Sequence, residues 1–169
     1  MKNIAIIGAG ISGLYLANLF KNNKDYKVTI FEKKDLIKSN EGYGIQLSVN
    51  SVDLLNQIDF NSLIDEEKFN PKKIDFYEIK NLKKICDLEI SKFNSETCKY
   101  TTIKRSKLLQ FLLDGLGDKI IKYNYSINQI EYKKNTINLT FDNDEKSTCD
   151  YLIISDGVFS KGKSLISAN

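Results

Sequence analysis

The chain has 169 residues, 41% hydrophobic and 28% charged, a balance that suits one sizeable buried core. Twenty-five Lys and Arg against 22 Asp and Glu give a net charge of +3, with the cations scattered along the chain, which argues against a nucleic-acid partner. The sequence contains no histidine, which excludes a Ser-His-Asp or Cys-His triad and any His-based metal site in these residues.

The chain opens with a continuous apolar run, Ile4, Ala5, Ile6 and Ile7, as expected of a parallel strand buried on both faces. Gly8-Ala9-Gly10-Ile11-Ser12-Gly13 follows and spells G-x-G-x-x-G. In a dinucleotide-binding turn the first glycine permits the tight turn and the second lets the backbone approach a pyrophosphate. The third lets helix and strand pack closely, with the phosphates at the helix N-terminus. Leu14, Leu16, Ala17, Leu19 and Phe20 predict a helix that ends at Asn22-Asn23. A second strand is expected over residues 27–31, closing on Glu32, 19 residues after Gly13. An acid at that distance, at the tip of the second strand, suits the hydroxyls of an adenosine ribose. The alternative for Glu32 is a solvated charge at a strand end.

Residues 33–47 are expected to form a loop. Ser48 then caps a helix whose apolar face is Val52, Leu54, Leu55 and Ile58 and which ends near Gln57. Asp65, Glu66 and Glu67 read as a solvated helix end, and Asn70-Pro71 is the best boundary. Ile74, Phe76, Tyr77 and Ile79 predict one strand of a hairpin. Asn81-Leu82 is its turn region, and Ile85, Leu88 and Ile90 mark the second strand. This hairpin stands outside a βαβ rhythm and reads as the first visit to a different sheet. Thr101-Thr102-Ile103 leads into a helix from about Lys104 to Leu113, with Leu108, Leu109, Leu112 and Leu113 as its buried stripe and Gly115 and Gly117 at its end. Strands follow over residues 119–123, 126–133 and 136–141, with Asp142-Asn143-Asp144 as a turn. Residues 126–148 read as a β-meander inserted before a final apolar strand that ends in Asp156-Gly157.

Cys86, Cys98 and Cys149 are odd in number and share no C-x-x-C spacing, so a reduced, cytoplasmic protein without a bound metal is expected. No apolar run approaches the ~18 residues of a membrane span, and the immediate entry into a strand leaves no signal peptide in the expectation. Without histidine, any redox or group-transfer chemistry falls to a cofactor. The positive charge is carried by 24 Lys and a single Arg, Arg105, which singles that residue out.

Three further stretches carry a family resemblance. Gly42-Tyr43-Gly44-Ile45-Gln46-Leu47-Ser48-Val49-Asn50 resembles the G-x-G-I-Q-L-x-x-N loop of FAD-dependent aromatic-ring hydroxylases. Arg105-Ser106-Lys107-Leu108 resembles that family's R-x-x-L helix start. Asp150–Gly157 with Val158, Phe159 and Ser160 is similar to its D-L-[VI]-I-x-x-D-G-x-x-S segment. With the glycine turn and Glu32, the order matches the single-component FAD-dependent monooxygenases of the 4-hydroxybenzoate, salicylate and ubiquinone-pathway group.

The resemblance implies an α/β fold: a Rossmann-like FAD-binding domain, with a parallel sheet and a β-meander insertion, carrying the first strands of a substrate-domain sheet. Residues 1–70 and 101–169 would form the discontinuous FAD-binding domain, and residues 71–100 the beginning of the substrate-domain sheet. Gly8, Ala9, Gly10, Ile11, Ser12 and Gly13 would hold the FAD pyrophosphate. Glu32 would bind the adenosine ribose, with Lys33 beside the AMP half. Arg105 would contact the FAD with a guanidinium fork that Lys cannot reproduce, and its alternative is an exposed helix N-terminal residue. Asp156 and Gly157 would serve FAD and NAD(P)H docking, with an ordinary strand-end turn as the alternative. Gly42 and Gly44 are either near the flavin or part of a simple loop. Ser155 stands where many relatives have Ala, a small-for-small change expected to have little consequence.

The implied reaction is hydroxylation of an aromatic or related ring, with NAD(P)H as electron donor and O2 as oxidant, through a flavin hydroperoxide. No side chain is assigned a catalytic role. Family members continue well beyond this length, so the sequence reads as the N-terminal portion of such an enzyme, with sheet faces left exposed. Expected partners are the small-molecule ring substrate and O2, and either the C-terminal remainder or a second copy. The alternative is a non-catalytic FAD- or ADP-binding fragment that needs the C-terminal part for activity. An NAD-dependent dehydrogenase fits the glycine turn but not the meander or the later motifs.

Overall fold

The computed structural model describes residues 1–37, 43–117 and 120–167. The chain runs β1 (Lys2–Ile7), α1 (Ile11–Phe20), β2 (Tyr26–Glu32), β3 (Gly44–Leu47), α2 (Val49–Asn56), β4 (Lys68–Phe69), β5 (Ile74–Tyr77), β6 (Lys84–Leu88), β7 (Thr101–Lys104), α3 (Arg105–Asp114), β8 (Ile121–Tyr123), β9 (Ile127–Tyr132), β10 (Ile137–Phe141), β11 (Lys146–Cys149), β12 (Tyr151–Ile154) and α4 (Lys161–Ser167). It divides into two compact units, Met1–Lys38 with Leu109–Asn169, and Ser39–Leu108.

The first unit is a Rossmann-like α/β fold. Its parallel sheet has the strand order β12-β1-β2-β8. β1 is central, with Ile4 opposite Tyr151 on one side and Val28 on the other. A central parallel strand is covered on both faces, which is why β1 is an unbroken apolar run. Ala5, Ile7 and Phe31 join a core with Ile127, Ile130, Leu139, Phe141 and Cys149, contributed by the antiparallel meander β9-β10-β11. Phe31 stacks on Phe141 with ring centroids 4.5 Å apart, and Tyr125 meets Phe141 edge-on at 5.0 Å. Leu14 and Ala17 of α1 are fully buried, as are Ile6 and Ile30 of the sheet, which alternate with the meander-facing residues. Asn18, buried in α1, donates to Leu14 O at 3.0 Å and to Leu112 O of α3 at 2.8 Å, so the one polar group on that face is satisfied.

The second unit holds the antiparallel sheet β3-β7-β4 and the separate hairpin β5-β6. Ile103, Val52, Leu55, Phe60, Ile90 and Leu108 are buried in it. Ser48 caps α2 by accepting the Ser51 N–H. The expected loop over residues 33–47 needs correction: Gly44–Leu47 is a strand, paired with β7, and Thr101–Lys104 is a strand and not merely a lead-in to the helix. Each has only four residues and pairs with a segment more than fifty positions away, so local periodicity carries no trace of the pairing. Glu41 and Gly42 of the expected motif, and Lys119 of an expected strand, lie outside the described residues. Residues 71–100 lie wholly inside the second unit, and every residue of β6 is exposed, Ile85 at 68%, as is Ile79 in the turn before it at 93%.

Candidate functional site

Three elements of the first unit end side by side at the C-terminal edge of the parallel sheet: β1 at the glycine turn, β2 at Glu32 and β12 ahead of Asp156. The crevice beyond the carboxyl ends of parallel strands is where open α/β sheets bind ligands. The three glycines of the turn answer three different demands. Gly8 has φ +103°, open to glycine at little cost, and a Cβ there would lie 2.6 Å from the Ser155 carbonyl oxygen. Gly13 packs so tightly that a Cβ would overlap the Gly8 carbonyl oxygen and sit 2.8 Å from Ser155 Oγ. Gly10 is different. Its backbone is extended, it is the N-cap of α1 without a side-chain cap, and a Cβ there would meet nothing within 4 Å. Gly10 therefore faces open space, next to the orphan N–H donors of the first helical turn. Ile11 is half-buried and Ser12 exposed beside it.

Glu32 is no solvated strand-end charge. It is buried at 9% exposure, and its Oε2 accepts the Ala9 N–H at 2.8 Å. Its Oε1 accepts the Lys34 N–H at 3.1 Å. Gly8 N–H donates to Phe31 O at 2.8 Å, so the end of β2 grips the glycine turn twice. Each carboxylate oxygen retains a second lone pair for a hydroxyl donor. The Tyr123 phenol, opposite Glu32 in the β2–β8 register, is pushed above its ordinary pKa by burial and then by the Glu32 charge. Lys33 is exposed.

On the other side of β1, Asp156 follows β12. Its Oδ2 accepts the Gly162 N–H at 2.9 Å. Its Oδ1 is buried, and among the described residues no donor reaches it. A buried acceptor left without a donor is costly, so this atom is short of a hydrogen bond. Gly157 follows with φ +86°. A cleft of about 350 Å³ opens here, lined by Asp156, Gly157, Ser160 and Lys163 among others.

Ser155 is the residue sequence reasoning undervalued. Its N–H donates to Ile7 O at 2.8 Å, and its hydroxyl lies 3.0 Å from Ile7 O and 3.2 Å from Gly8 O. It links β12 to the glycine turn through a backbone N–H that Ala would keep and a hydroxyl that Ala would lack. The parallel register, with Ile7 opposite Ile154, brings it there, and only that pairing would have signalled it.

The structure thus brings together Gly8, Ala9, Gly10, Ile11, Ser12, Gly13, Glu32, Lys33, Asp156 and Gly157 in the first unit. Arg105 belongs to the second unit, where it opens α3 and donates its backbone N–H to Tyr43 O at 3.0 Å. Its side chain is half-buried, and Gly44 lies in β3 opposite Lys104. Cys149 is a core residue whose thiol is pushed up to about 11 by burial, and it takes no part in this edge.

With this geometry in place, comparison with known proteins bears on the fold. Residues 6–37 match the model of the NAD(P)-binding Rossmann-like domain. No curated protein matches the chain. Among solved structures, 2,6-dihydroxypyridine-3-hydroxylase from Arthrobacter nicotinovorans aligns with a TM-score of 0.80 at 15% identity, over 99% of this chain and 40% of that one. Klebsiella pneumoniae HpxO, solved with FAD and uric acid, aligns with a TM-score of 0.79 at 19% identity, over 94% of this chain and 40% of that one. The tetracycline destructase Tet(51) aligns at 0.73 and 17% identity, over 98% and 41%. At these identities the likeness is one of fold, and the chain spans about two fifths of the length of the structures it matches.

Proposed function

We propose that this chain is the FAD-binding part of a flavoprotein monooxygenase, an oxidoreductase that hydroxylates an aromatic or related ring with NAD(P)H and O2. The observation that carries the reading is the open space at Gly10, at the start of α1, in a glycine turn packed against the Ser155-Asp156 backbone, with Asp156 Oδ1 lacking a donor among the described residues. A dinucleotide offers phosphate oxygens to the first and hydroxyl donors to the second, so the residues present fit FAD. Likeness to hydroxylase folds supports the choice of FAD over NAD.

The N–H groups of Ile11, Ser12 and Gly13 would take the pyrophosphate, and Glu32 the adenosine ribose, with Lys33 beside it. Asp156 and Gly157 would hold a hydroxyl-bearing part of the cofactor. Arg105 would contact the cofactor with its guanidinium fork. Bound FAD would supply the redox chemistry, accepting electrons from NAD(P)H and activating O2. The protein's part is to bind and orient the cofactor and to keep water out, which requires no histidine. Residues 71–100 are read as the first strands of a substrate-binding sheet, and the exposed apolar residues of β5 and β6 support that reading.

The second reading is a non-catalytic FAD- or ADP-binding module, favoured by the two-fifths coverage of the matched structures. Purified chain is mixed with FAD, and its visible spectrum and NAD(P)H oxidation are recorded. A bound-flavin band with NAD(P)H turnover supports the enzyme reading, and a band without turnover supports the module. No flavin uptake at saturating FAD refutes both.

A further inference from the structure

We infer that Ser155 is a positioning residue that holds the two halves of the dinucleotide site at a set separation before any ligand arrives. This rests on the dinucleotide reading above and extends it to a residue to which neither the glycine turn nor the Asp-Gly motif assigns a part.

The glycine turn and the Asp156-Gly157 turn belong to segments almost 150 residues apart in the chain. Their nearest link is Ser155. The backbone N–H of Ser155 completes the β12–β1 ladder at Ile7 O. That bond fixes strand against strand but does not itself reach the Gly8 carbonyl. The hydroxyl adds what the ladder lacks. It lies within hydrogen-bond distance of both Ile7 O and Gly8 O, and its one proton is shared between them. The Gly8 carbonyl is thereby set between Ser155 Oγ and the Cα of Gly13, since a Cβ on Gly13 would overlap that carbonyl. The direction of the Gly8 carbonyl sets the plane of the Gly8–Ala9 peptide, and the Ala9 N–H meets Glu32 Oε2 on the far side. One hydroxyl therefore bears on the glycine turn, on the Ala9 N–H that meets Glu32 and, one residue on, on Asp156, whose Oδ2 is held by the Gly162 N–H.

Preorganisation of this kind lowers the ordering cost of binding. Removal of the hydroxyl by Ser155→Ala keeps the small side-chain volume and the ladder N–H. Two readouts separate the tether from the ligand. In the ligand-free chain, amide hydrogen exchange at Ala9 and Gly10 should quicken about fivefold, the factor for one ordinary hydrogen bond. In FAD titrations followed by flavin fluorescence, Kd should rise about fivefold, with the melting temperature lowered by no more than about 2–4 °C. Ser155→Thr, which keeps the hydroxyl, should return both toward the parent values.

Unchanged exchange at Ala9 and Gly10 in Ser155→Ala overturns the inference. Faster exchange with an unchanged FAD Kd also overturns it, leaving a purely structural bond. Faster exchange in Ser155→Ala, in a protein whose parent chain takes up no FAD, refutes the flavin reading and leaves the tether standing. Loss of affinity that Ser155→Thr fails to restore, with a matching drop in melting temperature in both variants, overturns the positioning role in favour of general destabilisation.

Discussion

Gly10 and Gly13 lie three residues apart in one motif, yet their replacement by alanine should have opposite consequences. At Gly10 the backbone is extended and a Cβ meets nothing within 4 Å, so the ligand-free fold has no steric objection to Ala. Gly→Ala at a compatible position stabilises by about 0.4–1 kcal/mol by restricting the unfolded chain. Gly10 is also an N-cap, where Ala is poorer than Gly, which offsets most of that gain. The net change is about zero, and the melting temperature should stay within about 2 °C. Binding should suffer, because the new methyl enters the open space above the helix start. A loss of tenfold or more in FAD affinity is expected, about 1.4 kcal/mol or more.

At Gly13 the methyl overlaps the Gly8 carbonyl, a backbone atom held by Ser155 on one side and by the Gly8 N–H bond to Phe31 O on the other. Neither side yields cheaply. Overpacking of this kind costs about 3 kcal/mol, which for a chain of this size is a fall of about 6–12 °C. Differential scanning fluorimetry without ligand and FAD titration of each folded variant make the comparison. A Gly10→Ala chain that binds FAD like the parent, or that melts several degrees lower, would refute the argument.

Glu32→Gln keeps the shape of the side chain but weakens the charged bonds to the Ala9 and Lys34 N–H groups, and should cost about 2 kcal/mol in urea unfolding. Phe141→Ala removes a fully buried ring stacked on Phe31 and should cost about 3–5 kcal/mol by the same measurement. Alkylation at pH 8 followed by peptide mass spectrometry should label exposed Cys86 and spare Cys149, whose thiol is both buried and pushed up to about 11. The folded thiol holds its proton more tightly than the ordinary value of 9.0 allows the unfolded one, so stability should fall as pH rises from about 9 to about 11. Cys149→Ser should lessen that fall.

Much of the first unit was legible because its signals are local. The apolar run of β1, the glycine spacing, the α1 periodicity and the meander's alternation each lie within a few residues, and each is imposed by burial or by backbone geometry at that point. The parallel sheet with its inserted meander follows from them. β3 and β7 were not legible, since each is four residues long and exists through a partner more than fifty positions away. Glu32 was legible as a position but not as a buried acceptor of the Ala9 N–H, because burial is a property of what surrounds the residue. Ser155 read as an inert replacement, since its importance depends on register: only when Ile154 pairs with Ile7 does its hydroxyl reach the Gly8 carbonyl.

The amino-acid order by itself determined that a glycine turn joins a buried strand to a helix, because the positive φ at Gly8 and the close approach of the turn at Gly13 both demand glycine. Tertiary structure decided which side chains hold that turn and left Asp156 Oδ1 without a donor among the described residues. Hydrogen bonds between segments almost 150 residues apart have no local signature, and they form only once the parallel strands are in register.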